Sequence, residues 1–299
     1  MPFITKTFNL PNSQKAFLFI MNTLGCSQKQ AQKHLDKNRL KQNNIPIHKS
    51  QTIIGKVSLT YFQPSSLNIE PIFITPYFAI YDKPPNLLVH PKGYFEHLSL
   101  CDDIKVRFGK EANPVHRLDY ETSGLIMVSK NKKFEPELKS LFETKKISKT
   151  YLAFVEGEIE FPQTIDLPIF VPTKQSKFTD LGIKCQISKN GKPSITKIFP
   201  IYYDEQKNLT LLKIIPITGR THQIRLHLSE IGHKIMGEPL YGVDNQNARN
   251  YLDKKFSTPS HRLMLHAQNL SFEYKNIFYH ITSCMNFHAT NCQNSKIQS

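Results

Sequence analysis

Residues 114 to 130 read PVHRLDYETSGLIMVSK. Leu125 to Val128 form a short unbroken apolar run, the mark of a strand covered on both faces. The polar segment before it concentrates charge and hydroxyls. In an extended backbone residues i and i+2 share a face, so Arg117 and Asp119 look into one cleft while His116 and Leu118 point the other way. Thr122, Ser123 and Gly124 offer hydroxyls and a permissive backbone for a sharp turn beneath them. Taken alone, an Asp two residues from an Arg is the ordinary pattern of a structural salt bridge, and the flanking blocks must decide what it does.

Upstream, FAIYDKPPNLLVHP (78–91) is an apolar strand running into Asp82, Lys83 and a Pro-rich turn. Downstream, Lys149, Tyr151, Leu152, Ala153 and Gly157 lie on a further strand, and Asn190-Gly191 is a hairpin-turn signal ahead of Lys192 and Thr196. In PITGRTHQIRLHLSEIGHKIMGEPLYG (216–242), Thr221 caps a helix starting just after Gly219, with Ile224, Leu228 and Ile231 as its apolar stripe and Arg225 upon it. RLMLHA (262–267) closes the series. Asn269 to Met285 alternates like a hairpin around Lys275 and Asn276. That hairpin separates His280, Cys284, His288 and Cys292, whose four-residue spacing would otherwise build a metal face on a helix. His116, His222 and His227 lack a carboxylate or Cys at recognisable spacing, so they read as hydrogen-bonding scaffold and no metal is expected.

The whole chain has 299 residues, with 39 Lys+Arg against 24 Asp+Glu, a net charge of +15. A surplus this large repels itself unless it meets a polyanion, which points to nucleic acid or an anionic membrane surface. The longest early apolar run, Ala16 to Met21, falls far short of the roughly 20 residues of a spanning helix, so membrane insertion is not expected. Five cysteines (Cys26, Cys101, Cys185, Cys284, Cys292), an odd number without a C-x-x-C pair, fit a reducing cytoplasm.

Charge is concentrated at the start of the chain. Residues 1 to 65 hold Lys6, Lys15, Lys29, Lys33, Lys37, Arg39, Lys41, Lys49 and Lys56 against Asp36 alone, nine minus one or +8. Lys15 to Asn22 predicts a short helix. Ser27 caps a second one that carries Lys29, Lys33 and Lys37 on its solvent side and stops at Asn38. Leu40, Ile45, Ile47, Ile53–Ile54 and Val57 to Phe62 follow as short strands, with Asn43, Asn44 and Gly55 at turns. Pro64, Ser65, Ser66 and Pro71 mark a linker. The plain alternative for these lysines is the solvated face of an ordinary small domain.

His116 to Gly124, HRLDxxTSG, resembles the active-site motif of RluA-type pseudouridine synthases, and the other four blocks match that family in order over residues 77 to 274. The N-terminal layout resembles the small RNA-binding domain of ribosomal protein S-four, with Asn38 and Lys56 departing from its pattern. Asn86 and Glu238 depart from the synthase pattern, where Gly and Asp are usual. The resemblance implies an α+β protein: a small N-terminal α/β RNA-binding domain at 1–65, a catalytic domain at 71–285 with a mixed, mostly antiparallel sheet and flanking helices, and a flexible tail at 286–299. It implies isomerisation of uridine to pseudouridine, in which the N1–C1′ bond breaks, the uracil turns and C5 rejoins the sugar. No electron is transferred, so no cofactor is needed.

Within that resemblance Asp119 is the catalytic carboxylate, either adding covalently or removing a proton next to the anomeric carbon. Arg225 is the permanent cation that keeps it ionised. Tyr151 offers a ring to stack on the base and a phenol to assist proton loss from C5. Arg117 fills the space left by an extruded base. Arg220 and His222, with Lys213 and Lys234, hold phosphates, and Leu263 or Met264 closes the apolar wall. Lys29, Lys33, Lys37, Arg39 and Lys41 present charge to structured RNA. The expected substrate is large-subunit ribosomal RNA, because the added basic module is common in relatives acting there; transfer RNA is the alternative, and no obligatory protein partner is implied. A non-catalytic RNA-binding or ribosome-assembly factor has no use for a carboxylate facing an anionic ligand. A glycoside-type hydrolase wants a second paired carboxylate, for which Glu121 is the one nearby candidate. Deleting residues 1 to 65 is expected to weaken RNA binding and to flatten the dependence of log K on log salt, since several phosphate contacts vanish together. Filter binding of both forms across a salt series measures this, and equal slopes would discredit the module.

Overall fold

The computed structural model describes residues 3–91, 98–172, 184–253, 262–285 and 287. His288 and Cys292, and the tail at 286–299 apart from Phe287, lie outside the described residues. The chain divides into two compact units, Met1–Asn68 with His90–Val106, and Ile69–Val89 with Arg107–Ser299.

In the first unit, strand β1 (Phe3–Lys15) leads into helices α1 (Ala16–Leu24) and α2 (Gln28–Asp36), then strands β2 (Leu40–Gln42), β3 (Ile45–Pro46) and β4 (Thr52–Phe62). The strands form an antiparallel sheet in the order β1-β4-β2-β3. Ser27 caps α2 through a reciprocal capping box with Gln30, because each side chain takes up an amide hydrogen that the first helical turn leaves unpaired. Helix α2 buries only Ala31 and Leu35 and leaves Lys29, Lys33 and Lys37 in solvent, as the charge pattern predicts. Asn38, Asn43 and Asn44 all take positive φ, which turns the chain after α2 and between β2 and β3. Strand β1 is the element that pattern reading passed over: TKTFNLPNSQK has too little apolar alternation to announce itself, and its long register with β4 makes it a strand.

The expected linker begins inside this unit. Helix α3 (Leu100–Phe108) opens on two buried carboxylates, Asp102 and Asp103. Asp103 accepts from Leu67 N at 2.8 Å and Ser66 Oγ at 2.9 Å, and Asp102 accepts from Ser65 N at 3.4 Å. Residues 65–67 are therefore clamped to α3, and the 90–106 segment belongs with the first unit rather than with the catalytic part assigned to it by sequence.

The second unit begins with β5 (Pro71–Ile74) and β6 (Phe78–Lys83), followed by β7 (Asn113–Pro114), β8 (Ser123–Ser129), α4 (Glu135–Glu143), β9 (Ile147–Glu156), β10 (Gln163–Asp166) and β11 (Ile169–Phe170). After these come β12 (Gln186–Ile187), β13 (Ile195–Asp204), β14 (Leu209–Pro216), α5 (Gln223–Glu230), α6 (Asn245–Asp253), β15 (Leu265–Tyr274) and β16 (Ile277–Thr282). Its main sheet runs β10-β13-β14-β9-β15-β8-β6-β5, with β16 paired to β15 and β7 to β8. The β15/β8 pair is parallel and the other pairs are antiparallel, which makes the sheet mixed and mostly antiparallel as expected. All seven residues of β8 are buried, in keeping with its unbroken apolar sequence. Lys275 and Asn276, at φ 52° and 61°, form the two-residue turn that joins β15 to β16.

Three local expectations fail. Gly55, expected at a turn, lies inside the continuous strand β4, opposite Leu10 of β1. Asn190-Gly191 does not join two paired strands: β12 pairs with β11, and the 188–191 turn brings Gly191 so close to Ile169 that an added Cβ would stand 2.5 Å from its carbonyl carbon. Nor does the chain turn sharply at Thr122–Gly124. Ser123 and Gly124 already belong to β8, and Gly124 (φ 109°) lies against β15, where a Cβ would meet the Ala267 oxygen at 2.3 Å.

Beside that contact a hydrogen-bond chain crosses the sheet. Arg262 Nη2 donates to Ser123 Oγ at 3.0 Å, Ser123 Oγ lies 2.9 Å from His266 Nδ1, and His266 Nε2 lies 2.8 Å from Ser283 Oγ, which donates to Asp82. Burial, aided by the Arg262 charge, pulls the buried His266 imidazole down to about 4, so it is neutral and passes one hydrogen along the chain. Gly124→Ala is expected to destabilise the protein by about 2–4 kcal/mol, because backbone on the facing strand must move. Gly232→Ala meets nothing within 4 Å, so only its positive φ is strained, costing about 1–2 kcal/mol. Urea unfolding of both variants checks the contrast, and equal losses would contradict the close-contact account.

Candidate active site

The segment between β7 and β8 carries Asp119 to the wall of a cavity of about 600 Å³. Two contacts hold it there. His116, packed face to face with Phe142 at 4.3 Å, accepts from Met127 N at 2.9 Å, and burial and the Lys149 charge press its imidazole down to about 3, so it serves as neutral scaffold. Lys83, wholly buried at the end of β6, donates to the carbonyls of Pro84, Leu87 and Tyr120 at 2.9, 2.9 and 3.2 Å. Burial pulls its ammonium down to about 7, but three accepting carbonyls use three hydrogens, which only the protonated form supplies. The Tyr120 carbonyl, one residue from Asp119, is thereby fixed.

Helix α5 brings Arg225 to the same wall. Its start differs from expectation: Thr221 does not cap it. The N-cap is His222 in a left-handed conformation (φ 55°) without a side-chain cap. Gln223 anchors the turn instead, accepting from Thr218 Oγ1 and Arg220 N and donating to Ile195 O and Thr196 Oγ1. Ile224 and Leu228 are buried in the core with Ile231 packed against them, as the stripe predicts.

Arg225 is fully buried and shared among three carboxylates. Nε and Nη2 each meet Glu238 at 2.7 Å, Nη1 meets Glu121 at 3.1 Å, and Nη1 reaches Asp119 Oδ2 at 3.5 Å. Glu238, one of the two departures from the synthase pattern, takes the bidentate pair and also accepts from Leu240 N at 2.9 Å. Glu121 accepts from Tyr251 as well. Asp119 is the least buried of the three, with 20% of its side chain exposed, and is the carboxylate that lines the cavity. The other two hold the guanidinium in place, and Asp119 keeps one oxygen near it while facing open space. Sequence singled out Glu121 only as a possible second carboxylate and Glu238 only as a departure from pattern; that both hold Arg225 appears only when α5 brings the guanidinium between them.

His222 was expected at a phosphate. Only 10% of its side chain is exposed, its Nε2 lies 3.8 Å from Asp119 Oδ1, and its Nδ1 lies 2.8 Å from Tyr241 Oη. Cys185 N donates to the same phenol at 3.1 Å, so Tyr241 fixes one edge of the His222 ring and the Nε2 edge faces Asp119. Burial lowers the His222 pKa, so this is a neutral neighbour of the carboxylate.

Tyr151, on β9, lines the cavity, and burial followed by the Asp119 charge raises its phenol pKa. Arg117, exposed, and Arg220 line it too. Lys213 and Lys234 do not: Lys213 points out from β14, and Lys234 pairs with Glu156 at 3.0 Å. Leu263 and Met264 are buried in the core beneath, and the apolar wall is made by Leu118, Ile147, Ile217 and Leu265. Strand β15 begins only at Leu265, so Leu263 and Met264 lie in the segment before it, and sequence alone does not say which of the three faces the cavity. On the first unit, Lys29, Lys33, Lys37 and Lys41 are exposed and Arg39 is partly buried, 4.6 Å from the Phe3 ring.

A family model described as RNA pseudouridylate synthase matches residues 77–230, which include Asp119, Tyr151 and Arg225. An uncharacterised RNA pseudouridine synthase of Helicobacter pylori (strain J99 / ATCC 700824) is 48% identical over 285 residues, covering 95% of this chain and 97% of the relative. The dual-specificity RNA pseudouridine synthase RluA of Pasteurella multocida (strain Pm70) is 30% identical over 72% of this chain and 92% of its own length. Among solved structures, human RNA pseudouridylate synthase domain containing 1 shares the fold with a TM-score of 0.54 at 24% identity, covering 74% of this chain and 86% of that one. With a family model matching over half its length and a relative 48% identical over 95% of it, the chain belongs to the RNA pseudouridylate synthase family of isomerases.

Proposed function

We propose that this enzyme converts specific uridines of large-subunit ribosomal RNA to pseudouridine, with Asp119, Tyr151 and Arg225 as its catalytic residues. The observation that carries the chemistry is the uneven sharing of Arg225. Two buried glutamates fix the guanidinium, so Asp119 can shift toward a sugar without leaving an unpaired buried cation behind. At an effective dielectric near 20, unit charges 3.5 Å apart attract by on the order of 5 kcal/mol before desolvation and the repulsion of the two glutamates are counted, which keeps Asp119 oriented toward the guanidinium.

A uridine inside folded RNA must first leave its stack, at a cost of a few kcal/mol. The exposed Arg117 at the cavity mouth is suited to fill the gap. Asp119 then either bonds to the sugar or takes the proton beside the anomeric carbon, and both routes free the uracil to turn. Tyr151 keeps its phenol hydrogen while Asp119 is charged, because burial and that charge both disfavour the phenolate. Its resting contribution is a ring face and an O–H donor; accepting the C5 proton becomes easier once Asp119 has lost its charge to the sugar or to a proton. The exposed lysines of α2 supply sequence-independent attraction to a large, folded RNA, which supports ribosomal RNA as the substrate.

Asp119→Asn is expected to bind RNA about as well as the wild type and to form no pseudouridine. Tyr151→Phe, which keeps the ring, is expected to lower conversion by about 10²–10⁴-fold with little change in affinity. Chemical mapping of pseudouridine in cells with and without the gene, followed by complementation with these variants, measures both. A missing site in transfer RNA would replace the ribosomal assignment. An unchanged map would favour a binding or assembly role.

A further inference from the structure

Four cations line the cavity besides Arg225: Arg117, Lys145, Lys149 and Arg220. Elsewhere Lys49, Arg107, Lys139, Lys207, Lys234 and Lys275 each stand within 4 Å of a carboxylate. Among the described residues Lys149 and Arg220 have no such partner, although neither is fully exposed. Arg220 Nε is buried without a hydrogen-bond acceptor. Lys149 is desolvated enough for burial alone to lower its pKa. Its Nζ lies 3.5 Å from the point where a Cβ on residue 219 would stand, so Gly219 lets the ammonium approach the backbone beside Arg220.

The inner wall is thus over-supplied with negative charge, three carboxylates to one guanidinium, and the wall formed by Lys149 and Arg220 carries uncompensated positive charge. Such an arrangement is destabilising in the free protein, since a partly buried cation without a counter-ion gives up part of its hydration and gains nothing. A neutral uracil or ribose does not offset that loss. A phosphodiester does, with a full negative charge and two acceptor oxygens that an ammonium and a planar guanidinium can share. We propose that Lys149 and Arg220 form the subsite for one backbone phosphate of the nucleotide that enters the cavity, so that the sugar is aimed at Asp119 by its own phosphate. The proposal rests on the RNA reading above and adds Lys149 to it as a binding residue.

The test is calorimetric titration of the full-length protein with uridine 3′,5′-bisphosphate and with uridine, for wild type, Lys149→Met, Lys149→Arg and Arg220→Met, together with thermal melting. Bisphosphate is expected to bind wild type at least tenfold more tightly than uridine. Lys149→Met should lose about tenfold for bisphosphate only, and Lys149→Arg should recover most of it. Lys149→Met is also expected to melt about 2–4 °C higher than wild type, because a ligand-binding charge is removed rather than a structural one. Equal binding of the two probes by wild type overturns the subsite. A lower melting temperature with equal losses for both probes assigns Lys149 a structural role and likewise overturns it. Neither result depends on conversion, so the outcome stands apart from that of the Asp119→Asn mapping.

Discussion

The catalytic unit is organised around one buried guanidinium. Arg225 has no exposed surface and could not remain charged there alone, since removing a partner from a buried ion pair typically costs about 3–5 kcal/mol. Glu238 and Glu121 meet that requirement at 2.7 and 3.1 Å, and the Leu240 amide further fixes Glu238. The consequence is functional. Because its charge is already balanced, Arg225 is a fixed reference point, and Asp119 at 3.5 Å is attracted to it without being immobilised.

Everything that delivers Asp119 to this point is backbone positioning by buried polar groups. Lys83 pins the Tyr120 carbonyl, His116 takes the Met127 amide, and Gln223 ties the start of α5 to β13. Gly124 permits the close approach of β8 to β15 that sets the spacing. Across the same seam, the chain from Arg262 through Ser123, His266 and Ser283 to Asp82 joins two ionic ends by neutral links. A path with a cation at one end and an anion at the other has its hydrogens aligned in one direction, which makes it more rigid than isolated hydroxyl contacts would be.

Legibility followed the range of the interaction. Elements whose cause is local were readable: the Ser27 cap, the Lys275-Asn276 turn, the apolar run of β8 and the stripe of α5. Three local readings went astray where a distant segment intervened. Thr221 lost the cap because Gln223 found partners on β13, Asn190-Gly191 turned against Ile169 instead of joining paired strands, and Ser123-Gly124 entered the sheet. Strand β1 stayed hidden because its partner lies some fifty residues away. In the site, Asp119 and Arg225 were legible, whereas Glu121, Glu238 and the facing of His222 were not.

By itself, then, the sequence determined the family chemistry and singled out Asp119 and Arg225, which the structure brings within 3.5 Å of each other, since ordered blocks of residue types are a one-dimensional property. It also determined where charge accumulates, because a count of Lys and Arg needs no coordinates. Only the tertiary structure decided how that charge is shared: that a glutamate thirteen positions beyond Arg225 takes two of its nitrogens, that His222 faces the carboxylate, and that Lys149 lines the cavity across from them. The physical reason is that electrostatic energy depends on separation and burial, and both are set by which strands and helices cross, not by the order in which their residues are joined.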